Sequence, residues 1–502
     1  MKKAMKKLMA ALLAVAMVCA MVVPAMAAEG ATTPPTYKIT APATNHQYEI
    51  YQIFTGDVNT GILSNIKWGQ NGTGTQGGAV DETVLNRLTS VNSTGISSIL
   101  DVVLEYVNLS STPVATITNA DTYSAPAGYY LIKDKDGSVT GNDAYTKYIV
   151  EVVEDVTIAP KSAVPDFKKK LKDTNDTTGV TTGWQDSADY DIGDKVPFRL
   201  QGTVASNYDQ YKTYYFAFHD VEESTLNFNA SSVEVFLGDE NGTKLTAGTD
   251  YELVTSPTDG CTFEVVFDDL KKVSGVVAGS KITVTYSSTL NENAKLGSEG
   301  NVNKAKLEFS NNPNNTQSGK PDTGETPWDN VIVFTYQVVV NKYANTISDD
   351  TKLPGAEFTL SKKLKDGTTK DIAVAKSSDG TSFTFKGLDD GEYILTETKT
   401  PANYNTIDPI TFTVTAEHNI EWTTQGRTDI LTNLTGNTAD GKLTFTANTD
   451  KSELSTGVIN KSGTTLPGTG GIGTTIFYII GGGLMIAAAV LLITKKRMEN
   501  KN

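Results

Sequence analysis

The chain has 502 residues, 8% aromatic residues and a formal net charge of −15. So acidic a chain argues against nucleic acid as a partner. Its three histidines form neither an H-E-x-x-H motif nor a Cys/His cluster along the sequence, which argues against a metalloenzyme. We therefore predict no metal and no cofactor.

The N-terminus predicts a secretory signal peptide. Lysines in the first seven residues precede an apolar run over 8–23. A small-residue cleavage site follows at Ala25 and Ala27, and signal peptidase is expected to cut after Ala27. Residues 1–27 are therefore assigned to the signal peptide, with a retained membrane anchor as the alternative.

The two cysteines bear on how an exported chain is stabilised. Cys19 leaves with the signal peptide, so Cys261 is alone and no internal disulfide can form. The exported chain is then stabilised by another kind of cross-link, or it needs none.

Most of the chain that follows alternates apolar and polar residues, as half-buried strands do. Asp-Gly and Asn-Gly turn signals separate these runs, which predicts a mostly β protein built of sandwiches in tandem. Pro-containing joints suggest domains over 28–163, 164–336 and 337–462. Apolar residues at helical spacing around 84–107 predict one or two helices in the first domain.

Three segments of the second domain carry a polar residue on an otherwise apolar face. The faces consist of Phe167, Lys169 and Leu171; of Phe216, Phe218 and Asp220; and of Asn301, Asn303, Ala305, Leu307 and Phe309. A solvated lysine run and a turn aspartate are the alternative interpretation.

The third domain also places a lysine, a glutamate and an asparagine on inward faces. Lys342 lies in the first strand, Glu397 in a central strand and Asn460 at the end of the last strand. Their burial is costly unless they interact, and desolvation lowers the pKa of a lysine and raises that of a glutamate. A neutral amine can then attack the carboxamide carbon while the acid relays protons, which leaves an amide cross-link.

The C-terminus predicts a sorting signal. A pentapeptide is followed by a short spacer and by an apolar run over 476–493 that is long enough to cross a bilayer. A basic tail over 494–502, expected on the cytoplasmic side, comes after the run. The pentapeptide is Leu466, Pro467, Gly468, Thr469 and Gly470. Sortase is expected to cut between Thr469 and Gly470 and to join Thr469 to an amine.

The Y-x-L-x-E-T-x-x-P segment from Tyr393 to Pro401 resembles the E-box of collagen-adhesin B-type domains. Residues 28–502 resemble a sortase-assembled major, or shaft, pilin of Gram-positive bacteria. The resemblance implies immunoglobulin-like and collagen-adhesin-type β-sandwiches and a C-terminal transmembrane helix. Asn403 stands where the family often has glycine, in a turn that tolerates asparagine.

The resemblance implies two intramolecular isopeptide bonds with an acid beside each. They are Lys342–Asn460 with Glu397, and Lys169–Asn303 with Asp220. Asn301 has the same strand parity as Asn303 and is the alternative acceptor. In the first domain Lys133 and Asp134 occupy the place where an E-box acid would be needed, so no cross-link is predicted there.

Lys161 ends the first domain in a segment that resembles the pilin motif, with Ala159 where the family has tyrosine. By this resemblance sortase joins Thr469 of one subunit to Lys161 of another. The implied partners are sortase, further copies of the chain, minor tip and base pilins, peptidoglycan, and the membrane before sorting. A monomeric wall-anchored adhesin is the alternative. An enzyme is not predicted, because each acid acts once on its own chain.

Overall fold

The computed structural model describes residues 35–59, 61–90, 102–139, 143–158, 163–315, 319–320, 322–422, 430–463, 484–485 and 488–492. The predicted signal peptide, Lys161 and the sorting pentapeptide lie outside these residues, as does most of 476–493. Among the described residues, no helix combines the length and the apolar composition that crossing a membrane requires.

The described part of the N-terminal region contains two small sheets, one helix over Glu82–Ser90 and a short helical stretch at 102–104. Its elements are β1 (Thr36–Thr40), β2 (Gln47–Asn59), β3 (Ile62–Trp68), α1 (Glu82–Ser90), β4 (Ala115–Thr118), β5 (Thr122–Pro126), β6 (Gly128–Asp134), β7 (Lys147–Val152) and β8 (Val156–Thr157). One sheet has the order β5-β1-β8, and the other has the order β3-β2-β6-β7 with β4 paired to β2. Val84, Leu85 and Leu88 of α1 pack against a core that includes Ile53 and Leu131, which confirms the predicted helix.

The middle sandwich contains β9 to β20. Its strands are β9 (Asp166–Leu171), β10 (Ser187–Asp189), β11 (Lys195–Thr203), β12 (Phe216–Glu222), β13 (Leu226–Leu237), β14 (Thr243–Lys244), β15 (Glu252–Val254), β16 (Phe263–Phe267), β17 (Lys281–Leu290), β18 (Asn301–Ser310), β19 (Thr323–Glu325) and β20 (Asp329–Phe334). Two 3₁₀ turns cover Tyr208–Gln210 and Leu270–Lys272.

The two sheets of the middle sandwich enclose an aromatic core. One sheet has the order β10-β20-β18-β12-β16-β15, with β19 on β18, and the facing sheet has the order β14-β13-β17-β11-β9. Phe198, Phe216, Phe218 and Phe263 are completely buried in this core. Each such side chain stabilises the fold by about 1.5–3 kcal/mol relative to exposure.

The C-terminal sandwich contains β21 to β30. Its strands are β21 (Tyr336–Ala344), β22 (Glu357–Lys363), β23 (Thr369–Ile372), β24 (Val374–Lys376), β25 (Ser382–Leu388), β26 (Gly391–Lys399), β27 (Ile410–His418), β28 (Leu431–Asn437), β29 (Phe445–Asn448) and β30 (Glu453–Asn460). Two 3₁₀ turns cover Asp349–Thr351 and Thr449–Lys451. The sheets have the orders β24-β25-β21-β30-β29 and β23-β22-β26-β27-β28, so β21 and β30, its first and last strands, are parallel neighbours.

The sheets confirm a mostly β architecture of sandwiches. Within the part of the chain that the structure describes, each sheet draws its strands from one of the three predicted domain ranges, except that β21 begins one residue before the third range, at Tyr336. The described residues form two compact units: one lies within 1–175, 180–335 and 417–433, and the other lies within 176–179, 336–416 and 434–502. The three domain boundaries stay predictions.

Candidate functional site

A lysine, a glutamate and an asparagine meet inside the C-terminal sandwich, and we call them the C-terminal cluster. Lys342 lies on β21 and Asn460 on β30, while Glu397 extends from β26 of the facing sheet. Lys342 and Asn460 are fully buried, and Glu397 is 5% exposed. Alternation along β21 and β26 forces this arrangement, because residues two apart share a face.

Within the C-terminal cluster the carboxylate lies between the amine and the carboxamide. Lys342 Nζ is 3.7 Å from Glu397 Oε1. Asn460 Nδ2 lies 3.0 Å from each carboxylate oxygen of Glu397 and donates to Asn405 O at 2.9 Å. Asn460 Oδ1 is buried and accepts no hydrogen bond from the described residues.

The loop after β26 holds Glu397 in place. Ile407 N and Thr400 Oγ1 donate to Glu397 Oε2 at 3.1 and 3.3 Å. Asn403 has a φ of 72°, the left-handed conformation that asparagine tolerates better than most side chains. The substitution of asparagine for the usual glycine therefore fits this turn.

Burial prepares the amine of the C-terminal cluster for attack. Desolvation lowers the pKa of Lys342 to about 8, even though Glu397 opposes the change. A lysine with this pKa is neutral in a substantial fraction of molecules near neutral pH, and only the neutral amine is a nucleophile.

A second set, which we call the middle cluster, lies between the two sheets of the middle sandwich. Lys169 extends from β9 of one sheet, and Asp220 and Asn303 extend from β12 and β18 of the other. All three are fully buried. Lys169 Nζ donates to Asp220 Oδ2 at 2.5 Å.

The hydroxyl of Tyr286 on β17 contacts both the amine of Lys169 and the carboxamide of Asn303. Its hydroxyl accepts from Lys169 Nζ at 2.7 Å and from Asn303 Nδ2 at 2.9 Å, and it donates to Asp220 Oδ2 at 2.7 Å. The sequence analysis missed this phenol. Its parity with the apolar residues of β17 predicts burial, but no sequence signal pairs it with Lys169.

Glu222 is a second carboxylate of the middle cluster that the sequence analysis did not single out. Its Oε1 accepts from Asn303 Nδ2 at 3.1 Å and from Ser288 Oγ at 2.5 Å. It lies two residues after Asp220 on β12, so strand parity was the signal that could have found it.

The middle cluster favours neutral groups. Burial lowers the pKa of Lys169 and raises the pKa of Asp220, although their mutual attraction opposes both changes. Burial and the nearby charge of Asp220 raise the pKa of Glu222 to about 7. Burial thus favours the neutral form of the amine and the protonated form of the carboxyl groups beside it.

The two candidate acceptor asparagines have different surroundings. Asn301 is buried, but its carboxamide binds backbone groups only: it accepts from Lys295 N at 2.8 Å and donates to Lys295 O and Val333 O. Asn303 instead shares Tyr286 with the lysine, and its Oδ1 accepts no hydrogen bond from the described residues. The geometry therefore favours Asn303.

The buried lysine at the end of β6 has different partners. Lys133 Nζ lies 2.9 Å from Glu49 Oε2 and 3.2 Å from Asp136 Oδ1, both of them carboxylates. Asp134 accepts from His46 Nδ1 at 3.0 Å. The expectation of no cross-link in this region stays a prediction.

Comparison with known proteins gives two matches to family models. Residues 337–428 match a prealbumin-like fold domain of the SpaA type, and residues 459–500 match the LPXTG cell wall anchor motif. The anchor motif places the protein at the cell wall of the bacterial surface.

One relative and two solved structures extend the comparison. The trypsin-resistant surface T6 protein of Streptococcus pyogenes serotype M6 is 28% identical over 274 residues, which are 52% of this chain and 47% of that protein. The match thus spans about half the length of this relative. The structure of the T6 backbone pilin of serotype M6 Streptococcus pyogenes aligns with a TM-score of 0.50 and 19% identity over 86% of this chain and 100% of its own. The full-length major pilin SpaD of Corynebacterium diphtheriae aligns with a TM-score of 0.45 and 17% identity over 86% of this chain and 98% of its own.

These findings confirm the predicted resemblance to backbone pilins of Gram-positive bacteria. The T6 backbone pilin structure shows the same kind of fold, and the two family models match the first part of the C-terminal sandwich, over 337–428, and the anchor, over 459–500. Identity this low does not carry the roles of single residues from one chain to another.

Proposed function

We propose that this protein is the repeating structural subunit of a covalent surface pilus and that two Lys–Asn isopeptide bonds stabilise it. The observation that carries the proposal is the pair of buried clusters. In each one a buried lysine amine and an asparagine carboxamide contact a common partner, Glu397 or Tyr286. Its acids act once, on their own chain, so the protein is not an enzyme with turnover.

In the C-terminal cluster the reaction requires only groups already present. The neutral amine of Lys342 attacks Cγ of Asn460, and a tetrahedral intermediate forms. Glu397, which contacts both groups, takes a proton from the attacking nitrogen and delivers it to the carboxamide nitrogen. Ammonia leaves, and one amide bond replaces another, so no oxidant or cofactor is consumed.

In the middle cluster the same exchange joins Lys169 to Asn303. Asp220 lies beside the amine, and Glu222 lies beside the carboxamide. Proton transfer from the amine to the leaving ammonia is therefore divided between two acids, with Tyr286 bonded to both reacting groups.

The two bonds suit a subunit that is pulled from both ends. Lys161 lies shortly before Lys169, and Thr469 lies shortly after Asn460. A load applied at Thr469 would pass from Asn460 to Lys342 through the isopeptide bond. The strands between those residues would then carry little tension, which is what a fibre subunit requires.

The joint between subunits is proposed at Lys161 and Thr469, with sortase as the enzyme that forms it. The test is a denaturing gel of cell-wall extracts from bacteria that express the full chain. We expect a ladder of high-mass species that collapses to a monomer in Lys161→Ala. Lys168→Ala removes an exposed lysine nearby and should leave the ladder intact.

A single band in the wild type would refute polymerisation and favour the monomeric wall-anchored adhesin. A ladder that survives Lys161→Ala would refute the role of this lysine, while leaving the polymer in place.

A further inference from the structure

Four potential metal ligands converge on the outer face of the middle sandwich, away from the middle cluster. They are His219, Asp259, Cys261 and Glu264, and their side-chain donor atoms all lie within 4.8 Å of one another. His219 directly precedes Asp220 on β12, so the side chains of these two residues point to opposite faces of the sheet. This set is therefore separate from the groups proposed to form the isopeptide bond.

The backbone holds these ligands without a long flexible connection. His219 on β12 and Glu264 on β16 are cross-strand partners in an antiparallel pair. Asp259 and Cys261 lie in the turn before β16, where Asp259 Oδ1 accepts from Cys261 N at 2.9 Å. Two strands and one tight turn thus place the donor atoms.

Four of the separations between the donor atoms are close to those of a tetrahedral zinc site. His219 Nδ1 lies 3.0 Å from Glu264 Oε1, 3.1 Å from Asp259 Oδ2 and 3.7 Å from Cys261 Sγ. Cys261 Sγ is 3.1 Å from Asp259 Oδ2. Zinc bonds of about 2.0–2.3 Å at tetrahedral angles separate neighbouring ligand atoms by about 3.3–3.7 Å, so small adjustments would admit the ion.

The far side of the imidazole carries the support that metal-binding histidines usually have. His219 Nε2 lies 3.1 Å from Glu308 Oε2, and both side chains are almost fully buried. A carboxylate at Nε2 holds the N–H there, so Nδ1 is the ring nitrogen that would bind a metal. Lys320 pairs with Glu308 at 2.6 Å and Lys306 with Glu325 at 2.6 Å, so these cations already have carboxylate partners.

From this geometry we infer that His219, Asp259, Cys261 and Glu264 form a binding site for Zn²⁺. The mixture of imidazole, thiolate and carboxylate suits a borderline metal such as zinc, whereas calcium and magnesium prefer oxygen alone. The inference does not depend on pilus assembly.

The carboxylates around the site affect the pKa values of its histidine and its cysteine. Burial disfavours a charged ring, but Glu308, Glu264 and Asp259 outweigh it and raise the pKa of His219. Burial and the neighbouring Asp259 and Glu264 raise the pKa of the Cys261 thiol to about 12. Zinc binds cysteine as the thiolate and histidine as the neutral imidazole, so each of these side chains has to give up its acidic proton when the metal binds.

Cobalt substitution tests the site, because a thiolate bound to Co²⁺ gives a charge-transfer band in the near ultraviolet. The full chain, purified without metal, is titrated with Co²⁺, then with Zn²⁺ or Ca²⁺. We expect a band that saturates at one equivalent, that Zn²⁺ abolishes and that Ca²⁺ at the same concentration leaves unchanged. Absence of the band in the wild-type chain would overturn the inference.

Variants distinguish metal binding at this site from metal binding at other histidines and from loss of folding. Cys261→Ser and His219→Gln should both lose the band, while His46→Gln, which alters another histidine flanked by two carboxylates, should retain it. Glu308→Gln should keep the band but weaken zinc affinity 10–100-fold. A band that persists in His219→Gln would refute the site, and circular dichroism identifies any variant that fails to fold. If His219→Gln does not fold, Glu264→Gln replaces it, with weaker zinc affinity expected and unchanged affinity counting against the site.

Discussion

The two lysine–acid–asparagine clusters bring the same three chemical groups together at different places in their sandwiches. In the C-terminal cluster Lys342 and Asn460 lie on neighbouring parallel strands of one sheet. In the middle cluster Lys169 and Asn303 come from opposite sheets. The proposed bond would hold the first and last strands together in one domain and hold two sheets together in the other. Convergence of amine, acid and carboxamide therefore matters more than the pairing of the strands that carry them.

The clusters also differ in the number of groups that handle protons. Glu397 alone contacts both reacting side chains of the C-terminal cluster, and backbone groups of the following loop complete its surroundings. The middle cluster has Asp220, Glu222 and the phenol of Tyr286. Loss of one acid should thus have unequal consequences in the two domains.

The largest effect is expected from Glu397→Gln, which keeps the shape of the side chain and removes its acid. The wild-type exported chain should be lighter than its sequence by about 34 Da, because each bond releases one ammonia of about 17 Da. The variant should be lighter by about 17 Da only. For a closed loop of roughly 100 residues, the C-terminal sandwich should lose about 4–5 kcal/mol of unfolding free energy, if the cross-link acts as a disulfide does.

Intact-mass spectrometry and denaturant unfolding measure these two changes. Glu392→Gln is the matched control, since Glu392 lies on the same strand but on its outer face, where it pairs with Lys363. A variant Glu397→Gln chain that still loses about 34 Da would contradict the assigned role of Glu397.

A smaller effect is expected from Glu222→Gln, because Asp220 remains beside the amine. The middle bond should still form, but roughly 10²-fold more slowly, the lower end of what a positioned acid or base contributes. Mass loss is followed over time in chains made by cell-free synthesis. Complete absence of the middle bond would show that the two carboxylates do not share the proton transfer, and an unchanged rate would exclude Glu222 from it.

The smallest effect, and the one that compares the clusters directly, is their pH dependence. The pKa of Lys342 is lowered to about 8. Below pH 8, the fraction of its reactive neutral form therefore increases about tenfold for each unit by which the pH rises. Glu222, with a pKa raised to about 7, loses its proton above pH 7 and can no longer donate one. The rate of C-terminal bond formation relative to the middle bond should therefore rise between pH 6 and pH 8.

Peptide mapping of quenched samples distinguishes the two cross-links in that experiment. A ratio that is constant across this range would mean that neither Lys342 nor Glu222 limits its reaction. A falling ratio would mean that formation of the C-terminal bond is limited by protonation of an acid, and not by deprotonation of the Lys342 amine.

Strand parity explains why much of both clusters could be predicted. Lys342 shares a face with the buried Val338 and Val340, and Lys169 shares one with the buried Leu171. Since neighbouring side chains of a strand point to opposite faces, burial of the apolar residues requires burial of the lysine. Helical spacing of apolar residues over 96–107, with Val84, Leu85 and Leu88 just upstream, predicted one or two helices, and α1 contains the upstream residues.

Parity could not separate residues that share a face. Asn301 and Asn303 have the same parity and are both buried, yet only Asn303 meets the phenol that binds Lys169. Tyr286 and Glu222 also required knowledge of which strands face each other. The sequence analysis likewise found no metal ligands, because His219 and Cys261 are distant along the chain and meet only through the pairing of β12 with β16.

By itself the sequence predicted the mostly β fold, the direction of side chains along its strands and the cell wall anchor motif, whereas its export signal stays a prediction. These depend on interactions between residues close in sequence, or on short motifs that other proteins recognise. Only the tertiary structure decided that Lys342 lies beside Asn460 within one sheet, that Lys169 reaches Asn303 across two sheets, and that His219 meets Cys261. The order of strands depends on the burial of the whole core and on the closure of long loops, which no local pattern encodes.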